Sequence, residues 1–165
     1  MSSKLSTENI RIRKAGENDI PVILQMINGL ADYENLSNEV TATESNLRRF
    51  ILGDDKFVDV WLAEFKTNVA GHVICFRNFS TFLARPGLYI EELYVKPEYR
   101  GNGIGKLLLL KVIDIAREKN YGRVEWAVLD WNEPAIEFYK SMQAIPMDDW
   151  KIFRITEDIF DKLRE

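Results

Sequence analysis

The chain has 165 residues, 46% of them hydrophobic, and a formal net charge of −4 at neutral pH. That length suits one domain, residues 1–165, with a sizeable core, and the acidic balance gives no reason to expect nucleic acid as a partner. No apolar run is long enough to cross a bilayer, the opening MSSKLSTENI carries no apolar signal region, and Cys75 is the lone cysteine; a cytoplasmic protein without membrane partner or internal disulfide is expected.

Residues 1–8 are polar and read as a flexible lead. Residues 10–14 alternate apolar and basic, as a strand with one wet face does. Asn18 and Asp19 then cap a helix that carries Pro21 in its first turn. Its apolar stripe is Ile20, Ile23, Leu24, Ile27 and Leu30, and it ends near Tyr33 and Glu34. A polar link over 35–43 leads to a second helix over 44–52, closed by Gly53. Residues 57–65 and 69–76, with a turn at 66–68, read as a hairpin. Residues 78–86 read as a loop or a fraying strand end, and 88–95 as the next strand.

After the turn Lys96-Pro97-Glu98-Tyr99 comes the hexapeptide Arg100-Gly101-Asn102-Gly103-Ile104-Gly105, which opens a long amphipathic helix. Strand, glycine loop and helix N-terminus make a phosphate cradle, because unpaired amides converge there and glycine lets the main chain come close. Helical periodicity stops at Asn120-Tyr121-Gly122, and 124–129 reads as a strand. Asn132 caps a further helix running to about Met142, followed by a last strand over 150–155 and a short helix over 156–164. The order predicts an α/β (α+β) fold, a mixed, largely antiparallel sheet with helices on both faces, and a parallel strand–helix–strand unit over 88–129.

The loop lacks the Gly-Lys-Ser/Thr of a P-loop, and it lies mid-chain behind a hairpin, which fits a dinucleotide fold badly. Its spacing resembles the Q/R-x-x-G-x-G/A signature of the GNAT superfamily of acyl-CoA N-acyltransferases. Tyr89-Ile90-Glu91-Glu92-Leu93-Tyr94-Val95 looks like the family strand beside the pantetheine arm, and the block from Asn132 to Tyr139 is similar to its N-x-x-A-x-x-x-Y. The resemblance covers about residues 10–155 and is closest to the diamine (spermidine/spermine) and thialysine acetyltransferases. The strings that carry it are Leu30-Ala31-Asp32-Tyr33-Glu34, Asp130-Trp131-Asn132-Glu133-Pro134 and Asp149-Trp150.

The resemblance implies acetyl-CoA as co-substrate and a small primary amine as acceptor, with direct attack in a ternary complex. The amides from Gly101 through Asn102, Gly103, Ile104 and Gly105 to Lys106, with Arg100, would hold the pyrophosphate. Leu93, Tyr94 and Val95 would pair with the pantetheine, and one of their N–H groups would polarise the thioester carbonyl. Asn132 would touch the cofactor. Tyr139, two helical turns on, would protonate the departing thiolate. Glu91 and Glu92 alternate across their strand, so one of them lines the acceptor cleft, and the resemblance selects Glu91 as cation binder and base through water. Tyr33, Glu34 and Trp150 would contact the amine.

Each residue also has a plainer reading: Tyr139 as a rim aromatic, Asn132 as a helix cap, Arg100 and Glu91 as solvated charges. His72 reads as a strand residue and Cys75 as a buried one. A single histidine and a single cysteine make no metal set, so no metal is expected. The stretch 80–86 departs from the polyamine enzymes: it lacks their aspartate and tryptophan and adds Arg85, which turns the reading toward small amines or lysine-like amino acids. Gln143-Ala144 stands where many members carry a helix-ending glycine. Relatives are commonly homodimers, and a dimer is expected. A protein or peptide N-terminal acetyltransferase and a non-catalytic acyl-CoA-binding protein are the competing readings.

Overall fold

A computed structural model describes residues 9–164; the lead over 1–8 lies outside the described residues. Among these, five strands form one sheet in the order β1 (Ile10–Lys14), β2 (Asp59–Phe65), β3 (Asn68–Ser80), β4 (Arg85–Val95), β5 (Val124–Trp126). Neighbours run antiparallel except β4 and β5, which are parallel. The helices are α1 (Ile20–Glu34), α2 (Glu44–Ile51), α3 (Ile104–Glu118), α4 (Glu133–Ser141) and α5 (Glu157–Phe160). The chain divides into two compact units, the first ending at Ala127 and the second beginning at Val128.

In the first unit the two sheet faces are told apart by strand alternation. Val60, Leu62, Ile74 and Tyr94 pack with Ile20, Ile23 and Met26 of α1 in one buried cluster. Trp61 points the other way, with Lys111 of α3 lying 4.3 Å from its ring centre. Helices therefore cover both faces, as predicted. The α1 backbone comes close because Gly29 faces Tyr94: a Cβ there would meet the phenol oxygen at 2.7 Å. Asp19 occupies the expected cap position, but its carboxylate accepts from the Gly16 N–H and from Arg13 rather than from the helix.

The β3–β4 hairpin is longer than its apolar core suggested, because Asn78 to Ser80 pair with Arg85 to Gly87 around a turn at 81–84. Arg85 sends its guanidinium to the Asn120 carbonyl at 2.7 Å, so its charge is spent at the C-terminal end of α3, where the helix dipole favours a cation.

In the second unit Asn132 caps α4, its side-chain oxygen accepting from the Ala135 N–H at 3.4 Å. Gln143, just past the helix, has φ +64°, the left-handed geometry for which glycine is the usual residue. Two expectations need correction. The strand read over 124–129 pairs only through Trp126. Residues 150–155 form no strand at all: a ladder needs a partner, and none pairs with them among the described residues. No helix among the described residues is long and apolar enough to cross a membrane.

Candidate acyl-transfer site

The glycine loop is shaped by local backbone geometry. A short 3-10 turn over Pro97–Tyr99 delivers the chain to Arg100. Gly101 and Gly103 take φ +76° and +79°, a region that costs any residue with a Cβ about 1–2 kcal/mol. Asn102 bridges them by donating to the Tyr99 and Arg100 carbonyls, both at 3.0 Å. Gly103 is the N-cap of α3 and brings no side chain to the first turn, so the amides that open the helix from Ile104 through Gly105 and Lys106 keep no side-chain cap. A Cβ on Gly101 would meet nothing within 4 Å, so the space over the loop is open. This fits the pyrophosphate of a CoA thioester, which is recognised by amides approached closely.

The strand before the loop changes character halfway. Its pairing with β5 covers Leu88 to Ile90 and stops. On the β3 side Ile74 pairs with Glu92 while Cys75 pairs with Ile90, so Glu91 is an extra residue, a β-bulge. Beyond it Leu93, Tyr94 and Val95 keep their β3 partners but have no strand on the β5 side among the described residues. That edge can accept an extended molecule as an added strand.

The bulge also overturns the expectation that Glu91 and Glu92 face opposite ways. Together they oppose the single residue Ile74, and alternation fails there. Glu92 lies on the α1 face, its side chain only 11% exposed, with an oxygen 2.5 Å from His72 Nε2. Glu91 is exposed, and its charge helps to push up the Tyr89 phenol, whose main perturbation is burial.

Tyr33 and Glu34 close α1 on the same face. Glu34 is half-buried, and its carboxyl is raised above the ordinary range first by that burial and then by the charge of Glu92. The Arg100 guanidinium lies 4.8 Å from the Tyr33 ring centre and 5.7 Å from that of Tyr94, and its Nε donates to the Val95 carbonyl at 2.9 Å. Predicted residues from α1, β4 and the loop are thus brought together in the first unit. Asn132, Tyr139 and Trp150 belong to the second: Asn132 is buried at the head of α4, Tyr139 is half-buried near its end beside Phe138, and Trp150 is 71% exposed.

The sequence motifs give no role to two members of the polar cluster, His72 and Glu92. The only signal for His72 was its type, a lone histidine in an otherwise apolar strand. Cys75, by contrast, is as expected: it is buried, and that burial pushes its thiol up to about 11.

Comparison with known proteins adds the following. The model of the Acetyltransferase (GNAT) family matches residues 27–143. The chain is 35% identical to a thialysine N-epsilon-acetyltransferase of Bos taurus, covering 93% of this chain and 96% of that one. It is 33% identical to an L-ornithine N5-acetyltransferase of Arabidopsis thaliana, covering 90% and 85%. Among solved structures, an integron cassette protein of V. cholerae superposes with a TM-score of 0.78 at 23% identity, over 95% of this chain and 98% of that one, a likeness in fold.

Proposed function

The chain belongs to the acetyltransferase (GNAT) family, and from that premise we propose that it transfers the acetyl group of acetyl-CoA to the terminal amine of a small, lysine-like amino acid. The observation that carries this is the pairing of a glycine loop and freed β4 edge with a carboxylate-rich face under the end of α1. The first suits a CoA thioester and the second a cation. The relatives named for thialysine and ornithine support an acceptor with an amine on a short chain. Arg85, bound to the end of α3, gives a long polyamine no anionic partner there.

The roles are those that the family resemblance implies. The amides from Gly101 to Lys106, with Arg100, bind the pyrophosphate, and Leu93 to Val95 pair with the pantetheine, one N–H polarising the thioester carbonyl. Asn132 contacts the cofactor. Tyr33, Glu34, Glu91 and Trp150 receive the amine. An ammonium has no lone pair, so a proton leaves through water to Glu91 before the nitrogen attacks the thioester carbon. The C–S bond then breaks, the thiolate takes a proton from Tyr139, and the second proton of the attacking nitrogen passes through water to the tyrosinate, restoring it. A buried cysteine held as the thiol is unsuited to carry the acetyl group, which supports direct transfer.

The family model runs across both compact units, which supports one catalytic domain. In the second unit Ile145, Trp150, Ile152 and Phe153 are all more than 70% exposed. So much uncovered apolar surface supports a homodimer in which a second copy covers it.

The test is CoA release from acetyl-CoA over a panel of ornithine, thialysine, lysine, diamines, spermidine and an N-terminal peptide. Highest kcat/KM on a short amino acid is expected. Preference for the peptide, or CoA binding without turnover on any amine, would overturn the reading.

A further inference from the structure

We infer that His72 is a positioning residue for the acceptor: it holds Glu92 so that Glu92 and Glu34 together clasp the incoming ammonium group. This rests on the proposed function and adds to it two residues that the sequence did not select. The bulge at Glu91 turns Glu92 onto the α1 face, beside the end of that helix, where Glu34 sits. His72 reaches it from the neighbouring strand: its cross-strand partner is Tyr94, whose ring lies 6.3 Å away.

The imidazole is fully buried and has one polar partner, the Glu92 oxygen at 2.5 Å; its Nδ1 meets no hydrogen-bonding atom. That pattern suits the tautomer with its proton on Nε2. The N–H then donates to the carboxylate, while a bare Nδ1 demands no acceptor. A hydrogen bond from a buried, immobile donor locks the carboxylate's orientation.

The electrostatics leave a cation wanting. Burial and then the nearby charge of Glu92 raise the Glu34 carboxyl, and the Tyr94 phenol is raised first by burial, against the opposing charge of Arg100, and then by Glu98 and Glu92. Tyr33 faces the same region, and Arg100, the cation there, is engaged over the Tyr33 and Tyr94 rings and at the Val95 carbonyl. Two partly buried carboxylates this close are costly until a positive ligand lies between them. A primary ammonium, with three N–H donors, can satisfy both.

The test compares wild type, His72→Phe, His72→Gln and Glu92→Gln, with ornithine as acceptor. His72→Phe is expected to raise the amine KM about tenfold, leaving the acetyl-CoA KM near wild type. His72→Gln, which keeps an N–H donor, should recover part of the lost amine affinity. Glu92→Gln serves if the Phe variant does not fold, with the same loss of amine affinity expected.

As the chain's only histidine, His72 also gives one pair of ring ¹⁵N signals, which should shift when ornithine is added. Turnover by wild type together with an unchanged amine KM in Glu92→Gln, or in a folded His72→Phe, overturns the inference. No turnover by wild type on any amine overturns the proposed function itself.

Discussion

The Arg100 guanidinium lies 4.8 Å from the centre of the Tyr33 ring, so the first residue of the glycine loop is tied to the last turn of α1. One element belongs to the proposed cofactor side and the other to the acceptor side. Arg100→Ala should therefore raise both Michaelis constants, each by about 2- to 5-fold from the lost stacking alone. Arg100→Lys keeps the charge but not the planar fork, and should recover little. Steady-state kinetics with each substrate varied in turn decides it; a change confined to one constant would show that the pair does not couple the two sides.

Gly101 offers a cleaner probe of the loop. Its φ of +76° makes alanine strained, yet a Cβ would find open space. Gly101→Ala should cost about 1–2 kcal/mol of stability. Loss of acetyl-CoA affinity beyond that strain would mean that the ligand uses the space, whereas thermal stabilisation by acetyl-CoA equal to wild type would remove Gly101 from the cradle.

Tyr139 is proposed to protonate the leaving thiolate. Tyr139→Phe keeps the ring and removes the proton, so kcat should fall by about 10²-fold or more while the acetyl-CoA KM stays near wild type. Unaltered kcat would return Tyr139 to the role of a rim aromatic.

The Arg13–Asp19 pair governs acid stability. The guanidinium contacts both carboxylate oxygens, at 2.6 and 2.8 Å, and the Gly16 N–H adds a third bond at 2.7 Å. The bond from Arg13 holds Asp19 below its ordinary 3.8, against burial that pushes the other way. A lowered native pKa means that the unfolded chain binds the proton more readily, so this stability is present above pH 3.8 and is lost as pH falls through the native value. Asp19→Asn should cost about 1.5–3 kcal/mol at neutral pH. The gap to wild type should close at lower pH, as denaturant unfolding at several pH values would show. Glu34 has the opposite sign: its raised carboxyl favours the fold less as pH climbs through its titration.

The exposed apolar run in the second unit predicts association. Ile152→Asp combined with Phe153→Lys should turn a dimer into a monomer, read as mass by light scattering. A monomeric wild type would refute the dimer.

What the sequence by itself determined is what short-range physics controls. The stripe from Ile20 to Leu30 specified α1, the Arg100–Gly105 spacing announced a loop that opens α3, and Asn132 before Pro134 announced the capped start of α4. Each depends on residues within a few positions of one another, and the family followed from the same strings. The tertiary structure alone decided the bulge at Glu91, because a residue is extra only relative to the strand it pairs with. The same pairing put Glu92 beside His72, 20 positions away, and beneath the end of α1. Residues 150–155 make the complementary point: their β-prone composition was legible, but a strand exists only where another strand supplies its hydrogen bonds.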